Sequence, residues 1–429
     1  MTKTRAAIFL SITAVVVVVI GACTPALETG ADETKLDVAA GDWPHWRGAT
    51  RDGVSADQSA PLKWSKTKNI RWKVEVPGRG HASPTVVGGL VLLATADEKK
   101  KVQSVLAFDR ATGRKLWQTD LHSGGFDKKT HKRNTQASST LACDGERIYA
   151  TFLNAGAIWV TALDLDGKQL WQTRLGEFTS LWGYSASPAL YKSLLLVAAD
   201  HQGGGYLAAL DRATGEEKWK TDRPKLSSYS SPVVYHVGGR DQLLMPGCEQ
   251  VASFDPNTGK PLWSTAGTTA ACVGTAVVSG ELVIVSGGYP KHETICVQAD
   301  GSGKVLWKNK VKVYVPSLLT HQGHVYAVTD SGVAYCWNAK TGEEAWSERI
   351  GGTVNASPVL VGERIYITSE SGLTTIFRAN PAAFTKLSEN QLGSEVFATP
   401  TICGGQIFMR VADRTNAGRV ETLYCIGAE

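Results

Sequence analysis

The sequence predicts an all-β protein: an eight-bladed β-propeller of four-stranded antiparallel blades, closed by a strand from the N-terminus. Three observations predict it. A segment ending in Trp recurs at spacings of 54, 48, 44, 44 and 39 residues, at Trp117, Trp171, Trp219, Trp263, Trp307 and Trp346. Eight Ser- or Thr-centred strand starts follow one another along the chain, at Ser83, Ser138, Ser187, Ser231, Thr275, Ser317, Ser357 and Thr399. The eighth unit runs out of chain near Cys425, before an outer strand, while a spare strand of that kind, Asn69 to Val74, precedes the first unit. Repeats of 40 to 50 residues with four short strands each are the mark of propeller blades. A ring built this way turns 429 residues into one domain and leaves no open sheet edge.

Each unit follows one order of elements. An apolar run opens after a Ser/Thr-Pro pair, as at Ala82-Ser83-Pro84 and Ala356-Ser357-Pro358. A glycine turn such as Val87-Gly88-Gly89 leads into a β-branched strand such as Arg364-Ile365-Tyr366-Ile367. The third strand ends at Asp or Asn, and Asp-x-x-Thr-Gly makes the hairpin to the fourth: Asp bonds nearby amides, and Gly accepts positive φ. AFDRATGRKLW (107–117), ALDRATGEEKW (209–219), SFDPNTGKPLW (253–263) and CWNAKTGEEAW (336–346) carry this hairpin, and copies ending at Trp171 and Trp307 are one residue shorter. The seventh unit departs, having neither Trp nor Thr-Gly between Phe377 and Leu387. Trp72 and the six Trp above thus take equivalent structural places on outer strands.

This recurring pattern resembles the tryptophan-docking motif of quinoprotein-type (PQQ-like) eight-bladed propellers. The resemblance covers nearly the whole mature chain, and it implies that these Trp pack between neighbouring blades. The enzymes of that group carry adjacent paired Cys near the cofactor and calcium held by acidic and amide side chains. This chain has no Cys-Cys pair, and it lacks Cys-x-x-Cys-His, Gly-x-Ser-x-Gly, His-Glu-x-x-His and Gly-Lys-Ser/Thr motifs. The expected cofactor is therefore none, with PQQ and calcium expected only under an oxidoreductase alternative. No metal is expected: His321 and His324 flank a turn with no carboxylate nearby.

The N-terminus reads as an address. Lys3 and Arg5 precede an apolar run from Ala6 to Ile20, and Gly21 and Ala22 lead to Cys23. That is a secretory signal, too short and wrongly flanked for a membrane span. Its end resembles the bacterial lipobox, which implies cleavage after residue 22 and lipidation of Cys23. The expected layout is a signal peptide over 1–22, a flexible tether over 23–41, a Trp-rich entry segment over 42–68 and the propeller over 69–429. The net charge of +5 falls to +3 without Lys3 and Arg5, which speaks against nucleic acid as a partner. Of the other seven Cys, those at 296, 336, 403 and 425 sit in apolar strands, and Cys248 and Cys272 leave open a disulfide between consecutive blades.

Blade alignment places the first residues of the innermost strands around the channel mouth. The candidate binding ring is His81, Gln136, Trp182, Tyr184, Ser185, Tyr229, Tyr314, Asn355 and Phe397, with Arg79 and Arg133 in adjoining loops. Its aromatic and polar make-up, without an evident carboxylate pair, suits recognition rather than acid–base catalysis, and no catalytic residue is assigned. Asp200-His201-Gln202 with three Gly reads as a flexible loop, and His122 to Gln136 as a long basic insertion. The entry segment from Asp42 to Ser55 is expected to pack across a propeller face, because its two Trp are out of place in a disordered tail. The lipid signal, the propeller and the missing redox ligands together resemble the BamB family of outer-membrane assembly lipoproteins. That implies a noncatalytic, monomeric scaffold in the cell envelope, membrane-bound through its lipid and binding a protein partner. A small quinoprotein oxidoreductase and a carbohydrate- or small-molecule-binding propeller are the alternatives.

Overall fold

The computed structural model describes residues 1, 2 and 38–427, apart from 128, 129, 132, 181 and 417. The signal peptide, Cys23 and the tether up to residue 37 lie outside the described residues. Strands occupy the ring and pair into eight antiparallel blades of four. Blade 1 shows the pattern: an innermost Thr85–Val87, then Leu90–Asp97, Val102–Asp109 and an outermost Lys115–Ser123. The middle strands are buried on both faces, and the outermost alternate towards solvent. Blade 8 takes Thr401–Cys403, Gln406–Thr415 and Gly418–Ile426 from the C-terminus and Ile70–Val76 from the N-terminus. Trp72 lies opposite Cys425, so the two ends of the chain close the ring as the sequence predicts.

The outer-strand Trp form the seams between blades. The indole nitrogens of Trp72, Trp117, Trp171, Trp219, Trp307 and Trp346 each donate to a carbonyl on the next blade, at 2.8–3.2 Å. The hairpin glycine must be glycine for this contact: at Gly113, with φ +73°, a Cβ would stand 2.5 Å from the Trp72 ring. Trp263 differs. Its indole donates to Gln242 Oε1 at 2.6 Å, and the Gln242 amide donates to Ala299 O of the next blade, so Gln242 relays the seam. A second pattern runs beside the Trp: Thr119, Thr173, Thr221 and Thr265, two residues further on, donate to the glycine carbonyl of the neighbouring hairpin.

Blade 7 has Ser388 at the Trp position, across from Ile376. The entry segment supplies the missing bulk. Ser388 Oγ and Asn390 Nδ2 donate to Leu62 O, Trp64 N donates to Asn390 Oδ1, and Trp64 is buried among residues of blades 7 and 8.

A belt of hydroxyls lines the inside of the ring. The backbone N–H at each start would face the channel without a ladder partner, and the hydroxyl of the next blade's start accepts from it. Seven such links run Ser83 to Thr140, Thr140 to Ser187, Ser187 to Ser231, Thr275 to Ser317, Ser317 to Ser357, Ser357 to Thr399 and Thr399 back to Ser83, at 2.8–3.1 Å. The belt corrects one position read from sequence. Blade 2 starts at Thr140 rather than Ser138, because the long insertion before it displaces the Ser-rich run by two residues.

Candidate functional site: a one-ended cup on the ring axis

The entry segment crosses one end of the channel and touches every blade. Trp43 exchanges backbone bonds with Val86 of blade 1, and Pro44 O accepts from Cys143 N of blade 2. Arg51 reaches Leu190 O of blade 3, and Tyr235 of blade 4 donates to Arg51 O. Trp46 Nε1 donates to Thr275 Oγ1 of blade 5 at 2.9 Å, at the one step of the belt that the seven links leave open. Arg47 donates to Leu318 O of blade 6 at 2.6 Å. Val54 and Ser55 pair in parallel with Leu360 and Val361 of blade 7, and Gly405 N of blade 8 donates to Asp57. Trp43, His45 and Arg47 are buried here. The expected packing across a face is therefore a floor, and the channel becomes a cup open at one end.

The cup has a volume of about 430 Å³. Trp46 forms its base and the hydroxyl belt its lower wall. Of the candidate ring, His81, Trp182, Ser185, Tyr229, Tyr314, Asn355 and Phe397 line it. His81 and Phe397 stack with centroids 4.2 Å apart. Trp182 is 42% exposed and lies against His131, with centroids 4.1 Å apart. Burial, reinforced by Arg79, Arg410, Arg419 and Arg133, holds the His81 imidazole well below its ordinary pKa and therefore neutral. Burial likewise raises the Tyr229 and Tyr314 phenols, which stay protonated donors.

Two candidates lie elsewhere. Gln136 turns into its own loop, its amide donating to Asp127 O and Thr130 Oγ1. With blade 2 starting at Thr140, the mouth position falls on Ser138, which does line the cup. Tyr184 is a core residue: its hydroxyl donates to Ala198 O at 3.2 Å, and its ring packs edge-on against Phe178.

Two further expectations change, and one open question closes. The Asp200–Gly205 loop is tied down rather than loose. Asp200 takes both arms of Arg223 at 3.0 Å, fully buried, and His201 Nδ1 accepts from Thr179 N and Gly203 N. Cys248 and Cys272 are free thiols, as are the other five described Cys, and burial pushes both thiols up. The mouth also holds carboxylates. Asp330 accepts from Tyr314 N at 2.8 Å and Val315 N at 3.1 Å, and Glu370 is taken by Arg133 and Asn355. Their signal in the sequence is a turn shared by blades 6 and 7, Thr329-Asp330-Ser331-Gly332 and Ser369-Glu370-Ser371-Gly372. Among the described residues, no group of three His, Cys, Asp or Glu is placed to hold a metal ion.

A family model described as outer membrane protein assembly factor BamB matches residues 54–179, 101–322 and 291–383, which cover the first six blades and the three inner strands of the seventh. The chain belongs to the BamB family. The outer membrane protein assembly factor BamB of Burkholderia pseudomallei is 26% identical over 358 residues, covering 70% of this chain and 85% of that protein. The crystal structure of BamB from Moraxella catarrhalis superimposes with a TM-score of 0.60 at 14% identity, over 83% of this chain and 99% of that one. The same fold serves enzymes. A europium-containing methanol dehydrogenase superimposes with a TM-score of 0.69 at 12% identity, over 92% of this chain and 99% of that one. At these identities the structural matches speak for the propeller alone. Within the BamB-family ring, the Trp seams and the hydroxyl belt are architecture, and the groups open to a partner or ligand lie at the mouth.

Proposed function

We propose that this BamB-family chain is a noncatalytic lipoprotein of the cell envelope, anchored through Cys23, whose cup mouth is a protein-interaction surface. The observation that supports it most is how the polar groups at the mouth are used. Each mouth carboxylate is held by structural donors: Asp330 by two backbone N–H groups, Glu370 by Arg133 and Asn355, and Glu395 by Arg419 at 2.9 Å. None stands free as an acid or base, whereas aromatic faces such as Trp182 and Tyr289, 42% and 59% exposed, are presented to solvent. Exposed aromatic and Arg side chains around a hollow are the make-up of interaction hot spots. The test is to cross-link and isolate the lipidated protein from native membranes. Recovery of an outer-membrane assembly component is expected, and recovery of no membrane protein overturns the scaffold.

A quinoprotein oxidoreductase is the second reading, favoured by the fold shared with methanol dehydrogenase and by the aromatic cup. The cup carboxylates weigh against it, since Asp330 and Glu370 are already held in place by the protein's own donors. Titrating the purified chain with PQQ and calcium decides: stoichiometric uptake, read by quinone absorbance, overturns the purely noncatalytic reading.

A further inference from the structure

We propose that a recess beside the cup, where the mouth loops of blades 7, 8 and 1 meet the long insertion before blade 2, is a docking site for an acidic polypeptide segment. This rests on the scaffold reading and names the chemistry of the partner. The recess measures about 660 Å³, and Arg79, Arg133, Arg414 and Arg419 line it together with Glu370 and Glu395. Three separate stretches deliver these arginines. Arg79 precedes blade 1, Arg133 comes from the long insertion, and Arg414 and Arg419 flank the hairpin between Gln406–Thr415 and Gly418–Ile426. Among the described residues that line it, four guanidinium groups face two carboxylates, an excess of two positive charges. Beneath them Glu421 is shared between the buried Arg410 and Arg419, Arg410 balancing its charge so that the excess is unchanged, and Glu98, at the outer edge, offsets part of Arg79 at 3.6 Å.

Two of the arginines are the most exposed of the four. The Arg414 side chain is 79% exposed with its carboxylate partner 4.0 Å away, and that of Arg133 is 50% exposed. If Arg414 turns away, Glu395 keeps Arg419 at 2.9 Å, and if Arg133 turns away, Glu370 keeps the Asn355 amide, so neither carboxylate is left unpaired. Guanidinium forks match carboxylates in two-pronged geometry. The recess shares Phe397 and Arg133 with the cup. A bound segment therefore meets an apolar face, the His81–Phe397 stack, next to its anchoring charges. The neutral His81 fits this setting, because the arginines around it already disfavour another positive charge. Four guanidinium groups delivered by three separate stretches around a recess of about 660 Å³ suit a chain carrying several carboxylates better than a single small anion.

The experiment is fluorescence anisotropy of the mature full-length chain with a labelled peptide of alternating Glu and Gly, beside its Gln–Gly analogue. The acidic peptide is expected to bind at least tenfold tighter than the analogue, about 1.4 kcal/mol, and to weaken with added salt. The Arg133→Gln/Arg414→Gln double variant is expected to lose at least tenfold with an unchanged melting temperature. If the double variant melts early, Arg414→Gln alone, at an exposed position, replaces it and is expected to weaken binding at least threefold. Equal binding of both peptides, or undiminished binding by the variant, overturns the proposal. So does tighter binding to anionic lipid vesicles, or competition by inorganic phosphate at equal charge. A chain that binds the peptide but recovers no membrane protein overturns the scaffold reading and leaves this site standing. The reverse result overturns this site alone.

Discussion

The two ends of the channel are built from opposite materials. At the floor, one continuous segment lies across all eight blades with its large side chains buried: Trp43 is 3%, His45 1% and Arg47 2% exposed. At the mouth, loops from different blades hold Trp182, Tyr289, Arg133 and Arg414 out into solvent. A propeller ring by itself is open at both ends. Filling one with the chain's own residues makes that end structural and leaves the other for recognition. The floor should therefore be costly to disturb and silent in binding, and the mouth the reverse.

The sharpest way to break that contrast is Trp43→Ala. Loss of a buried indole at the floor is expected to cost about 3–5 kcal/mol in urea unfolding. A cost below about 1 kcal/mol would mean that the segment is a loosely laid strap. Next in size are the seams, which belong to neither end. Gly113→Ala drives a Cβ into Trp72 at a positive φ, and about 1–3 kcal/mol should be lost. Gly89→Ala, with open space around its Cβ, should stay within about 0.5 kcal/mol. Equal effects at the two glycines would sink the seam argument.

Acid should be felt at the floor as well as through the buried His81 at the mouth. Burial, and secondarily Arg51, lowers the His45 pKa to about 3 in the folded chain, against an ordinary 6.5. The unfolded chain therefore takes up the proton first as pH falls. The stability attached to a neutral His45 is complete above pH 6.5 and declines from there towards pH 3. The slope is up to about 1.4 kcal/mol per pH unit. Urea titrations of wild type and His45→Leu between neutral and mildly acidic pH should diverge, the variant being the flatter. Parallel curves would place the acid sensitivity elsewhere. The smallest stability effect is expected at the mouth. Trp182→Ala should leave stability within about 0.5 kcal/mol while reducing recovery of the membrane partner. A large loss of stability there would erase the distinction between the two ends.

The seams show what a local pattern reveals. Trp, Gly and Asp recur at fixed offsets because each hairpin solves the same packing problem, so seven Trp sites and the closing strand are legible directly. Register fails where the pattern is interrupted: the insertion before blade 2 displaced its start by two residues and took Gln136 out of the cup. Tyr184 looked like a rim residue beside Trp182, but its ring turns inward to Phe178. Asp330 and Glu370 were overlooked because a carboxylate in a Ser-Gly turn looks like any turn until the loops converge on the axis. Cys248 and Cys272 lie on consecutive blades, yet adjacency did not decide their state, and both are buried free thiols.

The sequence alone determined the number of blades, their order, the closure and the Trp seams, because each rests on short-range turns repeated along the chain. Tertiary structure alone decided which end is closed and which side chains share the mouth. Trp46 meets Thr275 across 229 residues and Arg133 meets Glu370 across 237, and no local period encodes either contact. A ring brings every blade's loops to one axis whatever their sequence separation, so the site exists only once the ring has closed.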